Sequence, residues 1–504
     1  MTSTRRTFLR NASLSAAALA LPRIASAKTA PARKNIIYIL IDDLGKHFIE
    51  RSGGDGAKTP HINAIADTGL RLPNAYSMPQ CTPTRTTFLT GQYPYTHGWI
   101  NHWDVPRWGC GTHFDTDKNP SVGKVMQSAG YVTACAGKWQ IDDFRVKPDA
   151  MQTAGFEQSC MWTGYETGVR ASNERYFDPY INTNGGKSKT HKGEFGPDVC
   201  NTFLLDFIRN QKDGKKPFFI YYPMILTHGP NTKTPRNKDK KPDKTAIFRE
   251  MVEYTDLLIG KITKALADTG QTKNTIVVFM TDNGSSASVV ASLDGTKIKG
   301  GKGKDSEIGI NSPLFISCPG TVPVGVRDTL VDLTDLLPTF AEIGGAELPT
   351  QYKFDGRSIA KVITGEAKDA PREWICAMGH GPARVDAETK RVMPQKQWTL
   401  RVLRDKRYKG WAENRKITRL YDLKNDPFEK NNLINSKDAA IVAAIAKFQQ
   451  GVGTMPTVDH GPIYKKLAPQ PWDKKTKAAK DKTPKDKKLK DKKSKKDRKN
   501  KKTE

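Results

Sequence analysis

Three apolar runs with one grammar recur along the chain. Residues 35–45 read NIIYILIDDLG, residues 217–230 PFFIYYPMILTHGP and residues 274–284 NTIVVFMTDNG. Continuous hydrophobicity without alternation marks strands buried on both faces, as in a parallel sheet. Each run then delivers polar residues at its carboxyl end: Asp42 and Asp43, then His228, then Asp282 and Asn283. Open α/β sheets bind their ligands at that end. Helical periods fall between the runs, over Pro197–Gln211 and over Thr245–Thr269, the latter stopped by Gly270. The alternation predicts an α/β sandwich. Beyond about Gly365 the pattern changes to short alternating segments, WICAMG, QWTLRVLRDKRYKGW and RLYDLKNDPFEKNNL. These predict a small antiparallel sheet carrying one terminal helix over Asp438–Gly451, and no internal repeat is evident.

The two ends have a different character. Arg5 and Arg6 precede Thr7-Phe8-Leu9, a short apolar stretch follows over Leu14–Leu21, and Ala25-Ser26-Ala27 closes the segment. Charged start, short apolar centre and small-residue cleavage site compose an export signal, here of twin-arginine type over residues 1–27. The apolar centre is too short to span a bilayer, so the mature chain is expected to be soluble and exported, in the periplasm or secreted. At the other end, residues 473–504 hold 17 basic and 6 acidic side chains with no apolar period. Such a run repels itself and is expected to be disordered, either as a solubilising tail or as an arm for an acidic polymer. It lacks interleaved aromatics for stacking bases, so no specific nucleic-acid partner is expected. Removing both ends leaves about +14 of the +29 formal charge on the body, which favours an anionic substrate.

Carboxylates with an amide oxygen are the ligand set of hard cations, Ca2+ or Mg2+ rather than zinc. Taken singly, a DD or DNG after a strand is usually a turn or a cap; their shared place at strand ends is what makes Asp42, Asp43, Asp282 and Asn283 candidate ligands. Cys81 opens CTPTRTTFLTGQYP. Followed by Pro83 and a helical segment, it would stand at a helix N-terminus, where backbone N–H groups stabilise an anion. Arg85 lies one turn along on the same face and could hold that anion. Of seven cysteines none forms a CxxC pair, which argues against a zinc ribbon. The six other than Cys81 could form disulfides in an oxidising compartment.

Cys81-Thr82-Pro83-Thr84-Arg85, followed by Leu89-Thr90-Gly91, resembles the signature of type I sulfatases. The family's other marks stand in order: IIYILIDDLG, GYVTACAGKWQ with Lys138, THGP with His228, TDNG, GGKGKDSEIG with Lys302, and LYDLKNDPFEKNNL. The resemblance implies an alkaline-phosphatase-like sandwich, with a large mixed, mostly parallel sheet between helices and a small C-terminal antiparallel sheet. It further implies a catalytic domain over 28–365, a C-terminal subdomain over 366–465 and a Lys-rich tail over 466–504. By the same resemblance Cys81 is oxidised to formylglycine (3-oxoalanine) by a formylglycine-generating enzyme. One Ca2+, or Mg2+, is held by Asp42, Asp43, Asp282 and Asn283 and touches residue 81. Lys138, Gln140, His228 and Lys302 contact the substrate, Arg85 steadies residue 81, and His228 or Lys302 protonates the leaving oxygen. Lys304 is close enough to Lys302 in sequence to be its alternative.

That assignment accords with the chemistry. A sulfate ester is a poor electrophile ringed by negative oxygens, so its cleavage needs positive charge and a strong nucleophile. Three positions depart from the family pattern. Gln140 stands where a histidine is usual, and an amide cannot take a proton at neutral pH. Thr84 replaces the commoner serine and keeps a hydroxyl, and Asn311 stands where arginine is frequent. The expected activity is sulfate-ester hydrolysis on a sulfated carbohydrate, in keeping with export, a basic body and the aromatic-rich INHWDVPRWG. Two alternatives stay open: a phosphoester or phosphonate monoester hydrolase of the same superfamily, and a polyanion-binding protein with a decayed site.

Overall fold

The strand Asn35–Ile41 lies at the middle of a ten-stranded sheet in the computed structural model. The model describes residues 33–100, 112–163, 175–237, 243–370, 372–379, 384–385, 392–393, 398–461 and 464–466. Across the sheet the order is Gly325–Val326, Leu70–Leu72, Leu314–Ser317, Thr275–Thr281, Asn35–Ile41, Phe218–Pro223, Val132–Lys138, Gln158–Trp162, Tyr180–Thr183 and Lys189–Thr190. The five strands from Thr275–Thr281 to Gln158–Trp162 pair in parallel. Antiparallel strands flank them on both sides. The three runs singled out by continuous hydrophobicity are thus adjacent and central, and the strand in each is buried along its whole length.

Alternation along Asn35–Ile41 separates two cores. Ile36, Tyr38 and Leu40 face one, with Phe88 and Leu89 of the helix Cys81–Thr90 and Phe340 of Leu336–Gly344. Ile37, Ile39 and Ile41 face the other, with Leu204 of Gly196–Asn210 and Leu258 of Lys244–Asp268. A third core lies under the four-stranded antiparallel sheet Ile375–Ala377, Arg401–Arg404, Tyr408–Glu413 and Lys416–Asp422, which the helix Ala439–Thr454 covers with Phe448. Among the described residues no helix is long and apolar enough to cross a membrane. The export signal, the aromatic segment from residue 101 onward and the charged tail lie outside the described residues.

The disulfides that the cysteine count allowed are not formed among the described residues. Cys135 and Cys318 sit in the first core, Cys160 and Cys200 in the second and Cys376 in the third, all as free buried thiols. Scattered over three cores, they fill space as small hydrophobes, and the Cys200 thiol donates to the Cys160 carbonyl at 3.6 Å. Cys110 lies outside the described residues.

The helix Cys81–Thr90 is polar in sequence yet every residue of it is buried. Its threonines close their own hydrogen bonds: Thr86 to the Thr82 carbonyl at 2.9 Å, Thr90 to the Thr86 carbonyl at 2.7 Å and Thr84 to the Asp282 carbonyl at 2.7 Å. Thr87 meets Nε2 of His97 at 3.1 Å, while Nδ1 of His97 accepts from the Trp99 amide at 3.0 Å. The ring is therefore neutral, with Nε2–H donating, and burial pushes its pKa down to about 3. Burial, followed by Lys46, pushes His47 down to about 4. Folded pKa values below the unfolded value near 6.5 give stability that is fully present above about pH 6.5 and is lost as pH falls towards them. Each histidine should therefore cost up to about 1.4 kcal/mol per pH unit between 6.5 and 5. Urea unfolding at pH 7 and pH 5 checks this, and His97→Gln should lose its share of the acid sensitivity.

Candidate active site

Every proposed ligand stands at the carboxyl edge of the central strands. Asp42 and Asp43 follow Ile41, and Asp282 and Asn283 follow Thr281 on the neighbouring strand in matched register. Backbone bonds fix them there: the Asp282 amide donates to the Ile41 carbonyl at 2.9 Å, and the Asp43 amide to Oδ1 of Asp282 at 2.9 Å. Asp43 turns out of the strand at φ +61°. Carboxylate oxygens of Asp42, Asp43 and Asp282 all lie within 4.8 Å of one another, and all three residues are buried.

Three cations answer the three carboxylates. Lys138 Nζ donates to Oδ2 of Asp42 at 2.6 Å, Arg85 Nη2 to Oδ2 of Asp282 at 3.0 Å, and Lys302 Nζ to Oδ2 of Asp43 at 2.5 Å. Asn283 donates to Oδ1 of Asp43 at 2.7 Å. Arg85 also donates to the Lys138 carbonyl at 2.9 Å, tying helix to strand. Two acceptors in this cluster remain buried without a hydrogen bond, Oδ1 of Asp42 and Oδ1 of Asn283. Orphaned buried oxygens of this kind are rare unless a ligand is meant for them. Burial would raise Asp42, but Lys138, then His228, Arg85 and Lys302, hold it well below the usual carboxylate range. Asp282 goes the other way, pushed well up by burial and by Asp42. A hard divalent cation bound by these oxygens would relieve both the orphaned acceptors and the crowding of Asp282 against Asp42, so the donor set fits Ca2+ or Mg2+.

Cys81 is fully buried as the first residue of its helix. Its sulfur, a carboxylate oxygen of Asp42 and a ring nitrogen of His228 lie within 4.8 Å of one another. The Thr84 hydroxyl also accepts from the Met78 amide at 3.1 Å, so threonine supplies the hydroxyl this position uses. Lys138 ends its strand immediately after Gly137, where a Cβ would stand 2.0 Å from the Pro223 carbonyl oxygen. Gln140 follows at φ +78°. Lys302 is delivered by a glycine loop: a Cβ on Gly300 would meet the carbonyls of Ser285 and Ser286 at 2.3 and 2.2 Å, and the Lys302 amide donates to the Ser285 carbonyl at 2.9 Å. Lys304 is exposed, whereas Lys302 joins the cluster. Asn311 lies away from the cluster, accepting from Lys46 at 2.9 Å and donating to the carbonyls of Pro73 and Ala75.

His228 forms the rim. Nε2 faces Lys302 Nζ at 3.1 Å and Oδ2 of Asp43 at 3.6 Å, and Nδ1 lies 2.6 Å from the Gly229 carbonyl. Burial, then Lys138, with Lys302 and Arg175 adding to them, keeps the ring's pKa well below its ordinary value. Burial would lower Lys302, but Asp43 beside it raises it above the ordinary lysine value. Two neighbours of this histidine carried no signal in the sequence. Arg175 Nη1 reaches Nδ1 of His228 at 2.6 Å, and the Tyr176 hydroxyl donates to the His228 carbonyl. Both belong to no motif and no clear period, so only the folded chain brings them here.

Comparison with known proteins agrees with this geometry. The sulfatase family model matches residues 34–346, and the model for the C-terminal part of N-sulphoglucosamine sulphohydrolase matches residues 306–451. Human arylsulfatase A is 27% identical over 364 residues, covering 68% of this chain and 69% of that protein. An ulvan-active sulfatase of Formosa agariphila is 26% identical over 454 residues, covering 81% and 77%. The crystal structure of Ps i-CgsB superposes with a TM-score of 0.68 at 25% identity, covering 83% of this chain and 93% of that one. A parallel sheet with this strand-end cluster, matched over most of its length by the family model, leaves one assignment: the chain belongs to the sulfatase family, sulfuric ester hydrolases of the alkaline-phosphatase-like superfamily.

Proposed function

We propose that the protein is an exported sulfatase that releases sulfate from a sulfated carbohydrate, with formylglycine at position 81 and a divalent cation, Ca2+ by preference, as its working parts. The observation that carries this reading is the buried cluster of Asp42, Asp43 and Asp282 beside the helix-start residue 81, with two oxygens left unbonded. The carbohydrate part is supported by the ulvan-active relative and by the basic body. The twin-arginine-type sequence over residues 1–27 is what supports export, which would carry the enzyme to glycans outside the cytoplasm.

Asp42, Asp43, Asp282 and Asn283 would hold the cation, whose charge would draw a sulfate oxygen and acidify the hydroxyls of residue 81. A formylglycine hydrate offers one hydroxyl to attack sulfur and a second whose deprotonation expels sulfate and restores the aldehyde, which a cysteine or serine lacks. Arg85 is already committed to Asp282 and to the Lys138 carbonyl; it holds residue 81's helix against the carboxylates. Lys138 on Asp42 and Lys302 on Asp43 would balance the charge that develops on the equatorial oxygens of the sulfuryl group. The leaving alcohol takes its proton from the Lys302–His228 pair, in contact at 3.1 Å. Gln140 binds through its amide and leaves proton removal to another group.

Three outcomes follow. Cys81→Ala should abolish sulfate release from sulfated glycans, by at least about a thousandfold; ion chromatography of free sulfate reads this, and full activity would refute the mechanism. Asp282→Ala should lower bound metal per chain in elemental analysis, with circular dichroism confirming the fold, and unchanged stoichiometry would remove Asp282 from the ligand set. Gln140→His, at a positive φ that histidine tolerates, should raise kcat about tenfold or more with little change in KM by supplying a base. An unchanged kcat would show that the base already lies elsewhere.

A further inference from the structure

The three cations of the cluster each have a carboxylate partner, but a fourth cation beside them has none. Arg175 is 3% exposed, and among the described residues it pairs with no carboxylate. Its Nη1 meets His228 Nδ1, its Nε is buried without a partner, and its guanidinium lies 4.4 Å from the centre of the Trp162 ring. Trp162 ends the strand beside Lys138 and pairs with it in register, and its own Nε1 is also buried and unbonded. A buried guanidinium without a counter-charge is costly, and chains keep one where an anion arrives from outside. Stacking on an aromatic ring occupies a face of the guanidinium, so an oxyanion would be met by its N–H edge, where Nε has no partner. Beyond His228 the site opens, since the His228 and Lys302 side chains are 19% and 25% exposed.

The geometry points to Arg175, with Trp162, as a specificity-determining subsite for a second anionic group of the substrate, a carboxylate or a further sulfate on the same or the adjoining sugar. This rests on the sulfatase reading and narrows it: the preferred substrate is a saccharide carrying two anions, not a monosulfated sugar. Lys138 and Lys302 face the ester being cleaved, and Arg175, one imidazole ring away from Lys302, takes the neighbouring charge.

Calorimetric titration of the full-length, calcium-loaded protein carrying Cys81→Ala, which binds without turnover, tests this with three probes. Glucose 6-sulfate carries one anion, glucosamine 2-N,6-O-disulfate adds a sulfate, and a 6-sulfated disaccharide with a uronate neighbour adds a carboxylate. At least one two-anion probe should bind tenfold or more tighter than glucose 6-sulfate, and which one does so identifies the second group. Arg175→Ala in the same background should cancel that advantage while leaving the Kd of glucose 6-sulfate within threefold. Arg175→Lys, which keeps charge but not the fork, should restore part of it and serves alone if the alanine variant does not fold. Equal affinity for one-anion and two-anion probes, or no binding by any of them, overturns the subsite. An equal loss for all probes in Arg175→Ala also overturns it, since Arg175 would then only prop His228. If the matured enzyme releases no sulfate from any ester while the two-anion preference holds, the sulfatase reading fails and the subsite stands.

Discussion

Three buried carboxylates converging on one point are the constraint on which the rest of this structure depends. Two unit charges about 4 Å apart repel by about 4 kcal/mol even at an effective dielectric constant of 20, so Asp42, Asp43 and Asp282 could not share this space uncompensated. Lys138, Arg85 and Lys302 are drawn in from a strand, a helix and a glycine loop to answer them. Each of those elements is shaped by that demand. Gly137 lets the Lys138 strand press against Pro223, and Gly300 lets the Lys302 loop press against Ser285 and Ser286. The cations that stabilise the folded cluster are the ones a sulfate ester would meet.

The sheet makes the convergence possible without a dedicated scaffold. Parallel strands in matched register end at one level, so residues that follow Ile41 and Thr281 are neighbours although 240 positions separate Asp43 from Asn283. The helix that begins at Cys81 completes the site from one face of that sheet. Its burial is unusual for so polar a sequence and depends on threonine hydroxyls turned back onto backbone carbonyls. That arrangement seals the helix against the core while leaving its first residue beside Asp42 and His228.

Much of this was legible in the sequence because buried parallel strands must be continuously apolar, so the first polar residue after each run marks the ligand-binding edge. Asp42, Asp43, Asp282, Asn283 and His228 were visible for that reason. Cys81, Arg85, Lys138 and Lys302 needed the motif order as well, since a lysine in a glycine-rich stretch carries no signal of its own. The choice between Lys302 and Lys304 depends on a loop path set by backbone contacts at Gly300, which composition does not encode. Arg175 was invisible because its partners, His228 and Trp162, lie 53 positions ahead and on another strand. The cysteine count allowed disulfides, but which core each thiol enters is decided by how the strands and helices pack.

Residue 81, at the helix start beside Asp42 and His228, is the centre on which the proposed chemistry turns. The most direct measurement is the mass of the proteolytic peptide containing residue 81, from protein produced together with a formylglycine-generating enzyme and assayed for sulfate release in the same preparation. The expected mass is that of the aldehyde or its hydrate, with activity rising in proportion to the converted fraction. A peptide bearing only the unmodified thiol, from protein that nevertheless releases sulfate, would contradict it.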